Sequence, residues 1–163
     1  NMNVSGGGVS ITESRASRGG AIHAKRNMDV SGGGVSITES RASQYGGAIA
    51  ATDMNVSGGN VTITASTAQE NGGAISAGEM DVSGGNITIT KSKSSKGGAI
   101  AATKMDVSGG SVSIRESTAD KDGGCIYTMY DFTQSGGAVS FEGCKARREG
   151  GGIFSRGNIQ KRR

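Results

Sequence analysis

Five serines stand at almost constant spacing along this 163-residue chain, Ser14, Ser40, Ser66, Ser92 and Ser117, and Cys144 follows in the same series. Hydroxyls and thiols act as nucleophiles only when a neighbouring general base takes their proton. The chain has one histidine, His23, and the equivalent places in later repeats hold Ala50, Ser76, Ala101 and Tyr127. A base that occurs once cannot serve a row of nucleophiles. The series is therefore expected to be a ladder at an inner corner, its hydroxyls bonded to neighbouring backbone or to one another, with His23 at a variable surface position.

A second series is acidic: Asn3, Asp29, Asn55, Asp81, Asp106 and Asp131. Carboxylates one strand apart repel, and a cation would relieve Asp81 beside Asp106. The calcium-binding solenoid nonapeptide is absent, because these acids precede the glycines, and no metal or other cofactor is expected. Two cysteines, Cys125 and Cys144, have eighteen residues between them. They read either as buried free thiols or as a staple near the C-terminal end, and spacing decides neither the pairing nor the redox compartment.

Positive charge gathers at the C-terminal end. Residues 142–163 hold Lys145, Arg147, Arg148, Arg156, Lys161, Arg162 and Arg163 against Glu142 and Glu149, a net +5, whereas the preceding 141 residues net −1. Such a cluster binds phosphate, anionic lipid or an acidic protein surface, or it blunts the open end of a stack of strands; blunting is the preferred role. No aromatic platform accompanies the charge, so no specific nucleic-acid partner is expected.

What positions these residues is a repeat. Val9, Val35, Val61, Ile87, Val112 and Val139 are equivalent, at separations of 26, 26, 26, 25 and 27 residues. Gly20-Ala21-Ile22 returns as Gly47-Ala48-Ile49, Gly73-Ala74-Ile75, Gly98-Ala99-Ile100, Gly124-Cys125-Ile126 and Gly152-Ile153. Within a copy, Val9-Ser10-Ile11-Thr12 and Met2-Asn3-Val4 alternate apolar with polar, the period of a strand with one buried face. Gly-Ala-Ile supplies a third segment, and glycine pairs with small polar residues turn the chain between them.

Three short strands cannot close a sheet within one copy, so the copies must stack. Each strand then pairs in parallel with its counterpart about 4.8 Å away, and like residues form columns. The expected fold is all-β, a right-handed parallel β-helix of about six coils of 25–27 residues, with the hand set by the rule for parallel crossovers. Six coils make a rod roughly 25–30 Å long. One domain over 1–157 is divided at about 1–26, 27–53, 54–79, 80–104, 105–128 and 129–157, with a basic tail at 158–163. The first coil looks uncapped.

Composition agrees. Thirty glycines, no proline or tryptophan, 4% aromatics and 33% hydrophobic residues do not build a compact core of large side chains. Collagen needs proline and a three-residue period; helices would break at the glycine pairs; a propeller blade is longer than this period, and a leucine-rich repeat needs leucine, which is absent. The inner columns are the Val9 series, then Ile11, Ile37, Ile63, Ile89, Ile114 and Phe141, then Ile22, Ile49, Ile75, Ile100, Ile126 and Ile153. Outward-facing Ser10, Ser36, Thr62, Thr88, Ser113 and Ser140 lie beside Thr12, Thr38, Thr64, Thr90, Arg115 and Glu142. Over four coils this is a flat Ser/Thr-x-Thr array, the candidate binding face. Regular hydroxyls and methyls of this kind resemble ice-binding β-solenoids, although serine and threonine also simply suit exposed strands.

The unit reads Ile-x-x-Ser-x-Ala followed by Gly-Gly-Ala-Ile, as in Ile11-Thr12-Glu13-Ser14-Arg15-Ala16 before Gly19-Gly20-Ala21-Ile22, and Ile63-Thr64-Ala65-Ser66-Thr67-Ala68 before Gly72-Gly73-Ala74-Ile75. It resembles the polymorphic outer membrane protein repeat of chlamydial surface autotransporters and of secreted or surface proteins of protists. That family pairs Gly-Gly-Ala-Ile with Phe-x-x-Asn; here Ile replaces Phe except at Phe141, and Ser or Cys144 replaces Asn. The resemblance implies a right-handed β-helix at a cell surface or outside the cell, often an adhesive or scaffolding passenger.

The expected function is thus a non-enzymatic structural or interaction module, adhesin-like or a scaffold. Its expected partner is a protein or larger assembly, or an anionic surface met through the basic end; an ice-binding solenoid is the alternative. A pectin-lyase-like enzyme acting on polysaccharide is disfavoured, because catalytic groups normally sit on loops and the only notable insertion lies around Thr128 to Thr133. No apolar run approaches the roughly 18 residues of a membrane helix, no signal peptide is visible at Asn1-Met2-Asn3-Val4, and the opening in mid-repeat suggests a mature or excised piece.

Overall fold

Repeats that pair in register must lay identical residues over one another, and the computed structural model, which describes residues 1–162, does so along its length. The chain winds as a parallel β-helix of about six turns with no helix among the described residues, and so none long and apolar enough to cross a membrane. Val9 pairs with Val35, Val35 with Val61, Val61 with Ile87, Ile87 with Val112 and Val112 with Val139. The Ile11 and Ile22 series hold the same way to Phe141 and Ile153.

Each coil has four segments where the periodicity predicts three. The first carries Met-x-Val, as in Met54 to Val56, and the second Val-x-Ile, as in Gly34–Thr38. A third, short segment (Arg15–Arg18, Arg41–Tyr45, Thr67–Ala68, Lys93–Ser94, Thr118–Ala119 and Lys145–Ala146) forms its own six-stranded sheet. The fourth carries the Ile of Gly-Gly-Ala-Ile and runs straight into the next coil, so that Ile49–Thr64 and Ile75–Thr90 are bent strands of 16 residues. The third segment is only two residues long in most coils, too short for an alternation to show, although its alanine (Ala42, Ala68, Ala119) recurs and is buried.

The core is a set of columns. Besides the valines and isoleucines already named it holds a column of Met28, Met54, Met80 and Met105, all essentially inaccessible, beside a column of Val30, Val56, Val82 and Val107. Burial of one such side chain contributes on the order of 1.5–3 kcal/mol. At the ends, where a coil has a neighbour on one side only, Val9, Ile11, Val139, Phe141 and Ile153 stay half-buried. Two features revise the repeat boundaries. The divide at 26/27 falls inside the strand Ile22–Val30. The segment set apart as a tail is not separate, because Ile159–Lys161 is a strand paired with Phe132–Gln134, the opening of a further coil. Backbone donors drew it in: once Phe132–Gln134 exposes an edge, parallel pairing is the nearest way to satisfy it.

Three corners of each coil carry a residue with positive φ, the first of them the Gly59 series between first and second segments. Between second and third segments one residue per coil adopts a left-handed conformation: Glu13, Glu39, Ala65, Lys91, Glu116 and Gly143, with φ between 51° and 63°. Between third and fourth segments stands the glycine pair. At Gly72–Gly73, Gly72 has φ 64° and a Cβ on Gly73 would lie 2.6 Å from the Lys93 nitrogen and against the Gly98 carbonyl. Gly73→Ala is therefore expected to lose about 3 kcal/mol or more in urea unfolding. Ala65→Gly, which removes left-handed strain of about 1–2 kcal/mol against a glycine entropy cost of about 0.5–1 kcal/mol, is expected to raise stability by up to about 1 kcal/mol.

Candidate interaction surfaces

The serine series lies inside the tube. Ser40, Ser66, Ser92 and Ser117 are buried, but only Ser117 has partners: its Oγ accepts from the Ser92 amide at 3.4 Å and donates to the Arg115 carbonyl at 3.3 Å. The Oγ atoms of Ser40, Ser66 and Ser92 have none, which corrects the expected hydroxyl ladder. The corner holds small side chains whether or not a partner is in reach. Sequence left the cysteines open; the structure bridges them. Cys125 replaces the alanine of Gly-Gly-Ala-Ile, Cys144 replaces the serine one coil on, and their Cα atoms stand 5.5 Å apart. The staple ties the sixth coil to the fifth across this corner.

On the second face, Ser10, Ser36, Thr62 and Thr88 stack in register beside Thr12, Thr38, Thr64 and Thr90. A third outward column borders them, in which the Asn86 amide donates to Asn60 Oδ1 at 3.0 Å and the Ser111 hydroxyl to Asn86 Oδ1 at 2.6 Å. Arg115 and Glu142 end the threonine column by pairing with each other at 3.3 Å. The result is a flat, uncharged array four coils long.

The acidic column on the first face holds Asn3, Asp29, Asn55, Asp81 and Asp106, but Thr133 follows Asp106 in place of Asp131. Asp131 sits on the corner before it, where its Oδ1 accepts from the Asn158 amide at 2.7 Å. Asn55 donates to Asp29 at 2.7 Å, and Lys104 meets Asp106 at 2.6 Å, which raises the Lys104 pKa through that hydrogen bond and the nearby charge. The repulsion between Asp81 and Asp106 is thus met by an internal lysine. Among the described residues no group of three or more His, Cys, Asp or Glu is arranged to hold a metal.

The basic residues do not form a single patch. Arg147 pairs with Asp120 at 3.6 Å and Arg148 with Asp122 at 3.7 Å, beside Lys145 on the third face. Arg156 stands at the corner leading to the last strand, Lys161 lies on the first face, and Arg162 is exposed near Gln160 at 3.4 Å. Arg163 lies outside the described residues. The exposed Arg147–Asp120 pair contributes little stability, whereas the Asp122 carboxylate that Arg148 meets is buried.

A feature that sequence reasoning missed lies along the fourth face. Ala50, Ser76 and Ala101 stack as the floor of a cleft. One wall carries Arg18, Tyr45, Asn71 and Lys96, the other Lys25, Thr52 and Thr103, with His23 at one end and Tyr127 and Met129 at the other. The signal was the column His23, Ala50, Ser76, Ala101, Tyr127 itself, whose small middle members leave a trough between two corners.

Cys144→Ser is expected to lower unfolding free energy by about 3 kcal/mol, the entropy of a loop this size, measured by urea titration with and without reductant. Ala74 and Ser92 hold the equivalent places two coils earlier, so Ala74→Cys with Ser92→Cys should oxidise to a second staple, read by thiol titration. Ser66→Ala, which removes a buried hydroxyl without a partner, should leave stability unchanged or higher.

No family model, no curated protein and no solved structure matches this chain.

Proposed function

We propose that the chain is a rigid, non-enzymatic rod that displays ladders of side chains to a protein partner or larger assembly, at a cell surface or outside the cell. The observation that carries this reading is the coil-on-coil register, which converts one residue per repeat into a straight exposed row, above all on the Ser/Thr face. A scaffold whose backbone is hydrogen-bonded between coils holds such rows without a conformational cost on binding. The Cys125–Cys144 bridge supports an oxidising compartment, and the Gly-Gly-Ala-Ile resemblance to surface passengers supports an adhesive or scaffolding role. Beads coated with the protein are expected to adhere to cells or matrix, with adhesion lost in Thr62→Lys with Thr88→Lys and melting temperature retained. No adhesion, or turnover of pectate or alginate abolished by Asp106→Ala, would overturn the proposal.

The in-register pairs Thr62 over Thr88 and Thr64 over Thr90 favour a second reading, the ordering of water on a flat hydroxyl and methyl array. It predicts thermal hysteresis that disappears in Thr38→Lys and Thr64→Lys; an inactive wild-type chain removes it.

A further inference from the structure

Three cations border the fourth-face cleft, Arg18, Lys25 and Lys96, and none of them meets a carboxylate lining it. The Arg18 guanidinium lies 5.7 Å from the Tyr45 ring centroid and donates to Gln44 Oε1 at 3.1 Å. The Lys96 ammonium lies 5.3 Å from the ring of Tyr127, which is stacked on Phe154 with centroids 5.5 Å apart. Lys25 stands on the opposite wall, and no carboxylate lines the cleft. Glu70, beside Tyr45, is engaged at the phenol, whose pKa it raises. Rings and an amide thus hold Arg18 and Lys96 in place without neutralising them, which leaves their charge for a ligand.

We infer that this cleft binds a linear acidic polysaccharide, a chain of uronate sugars laid along the rod axis. Lys25 and Lys96 stand three coils apart, roughly 14 Å, so the charge is spread along a line rather than gathered for one phosphate. One sugar unit is comparable in length to the coil rise, and successive sugars therefore meet successive coils. The Arg18, Lys25 and Lys96 side chains take carboxylates, and the hydroxyls of Thr52, Ser76 and Thr103 take ring hydroxyls. The alanine floor, Ala50 and Ala101, lets a sugar ring lie close. An extended acidic peptide fits less well, because the backbone beneath the cleft is already paired to the coils on both sides and offers no free strand edge. The site requires only the cleft and leaves the Ser/Thr face for the partner proposed above.

The test is binding of a short oligogalacturonate to the full chain, followed by titration calorimetry at low and moderate salt. Binding is expected, weaker as salt rises, and weakened by about tenfold or more in Lys25→Glu with Lys96→Glu. Ser76→Tyr, which fills the trough without altering charge, should weaken it similarly. Lys91→Glu, the same charge change away from the cleft, should leave it unaltered, and melting curves check that each variant is folded. No oligogalacturonate binding would overturn the proposal. So would equal loss in Lys91→Glu, or tighter binding of a poly-glutamate peptide than of the sugar.

Discussion

Every face of this molecule depends on parallel hydrogen bonding between successive coils at a spacing of about 4.8 Å. That spacing is too short to insert anything between coils, so each residue must tolerate a near-copy of itself directly above and below. In the core the demand is met by identical shapes, Val on Val and Met on Met. At the glycine corner it is met by having no side chain at all, because the neighbouring coil's carbonyl occupies the place a Cβ would need. The corner between second and third segments shows the cost of the arrangement: the left-handed conformation recurs in every described coil whether or not glycine is present. Backbone register therefore overrides local preference.

The interior is apolar along the strands, and one corner carries a column of buried serines that Cys144 continues, facing the alanine column in which Cys125 stands. Three of those hydroxyls have no partner, so the serines are there for their size, and the same geometry brings Cys125 and Cys144 within bridging distance. The bridge ties a coil whose Val139, Phe141 and Ile153 are half-buried to the fully buried coil before it.

Outside, the four segments have separated their chemistry. The first face interlocks acids with asparagine and Lys104, the second is uncharged over four coils before Arg115 and Glu142, the third pairs Lys93, Arg147 and Arg148 with Asp120 and Asp122, and the fourth sinks into a trough where Arg18 and Lys96 lie against rings. Because each segment advances by one coil per repeat, a difference of one residue type per column becomes a stripe along the rod. The exposed chemistry of this protein is therefore arranged in lines along the rod.

The period of 25 to 27 residues and the two-residue alternation of Val-x-Ile and Met-x-Val determined the stacking, the inner columns and the Ser/Thr array from sequence alone, because parallel register allows like to lie only over like. Short-range pattern could not reveal the third segment, which is two residues long in most coils, nor exclude Asp131 from the acidic column, since an insertion shifts the register before it. The pairing of Cys125 with Cys144, the strand Ile159–Lys161 and the cleft between two corners were decided by tertiary structure. Each depends on distances between residues of different coils or on the angle between adjacent faces, and neither quantity is written in the order of residues along the chain.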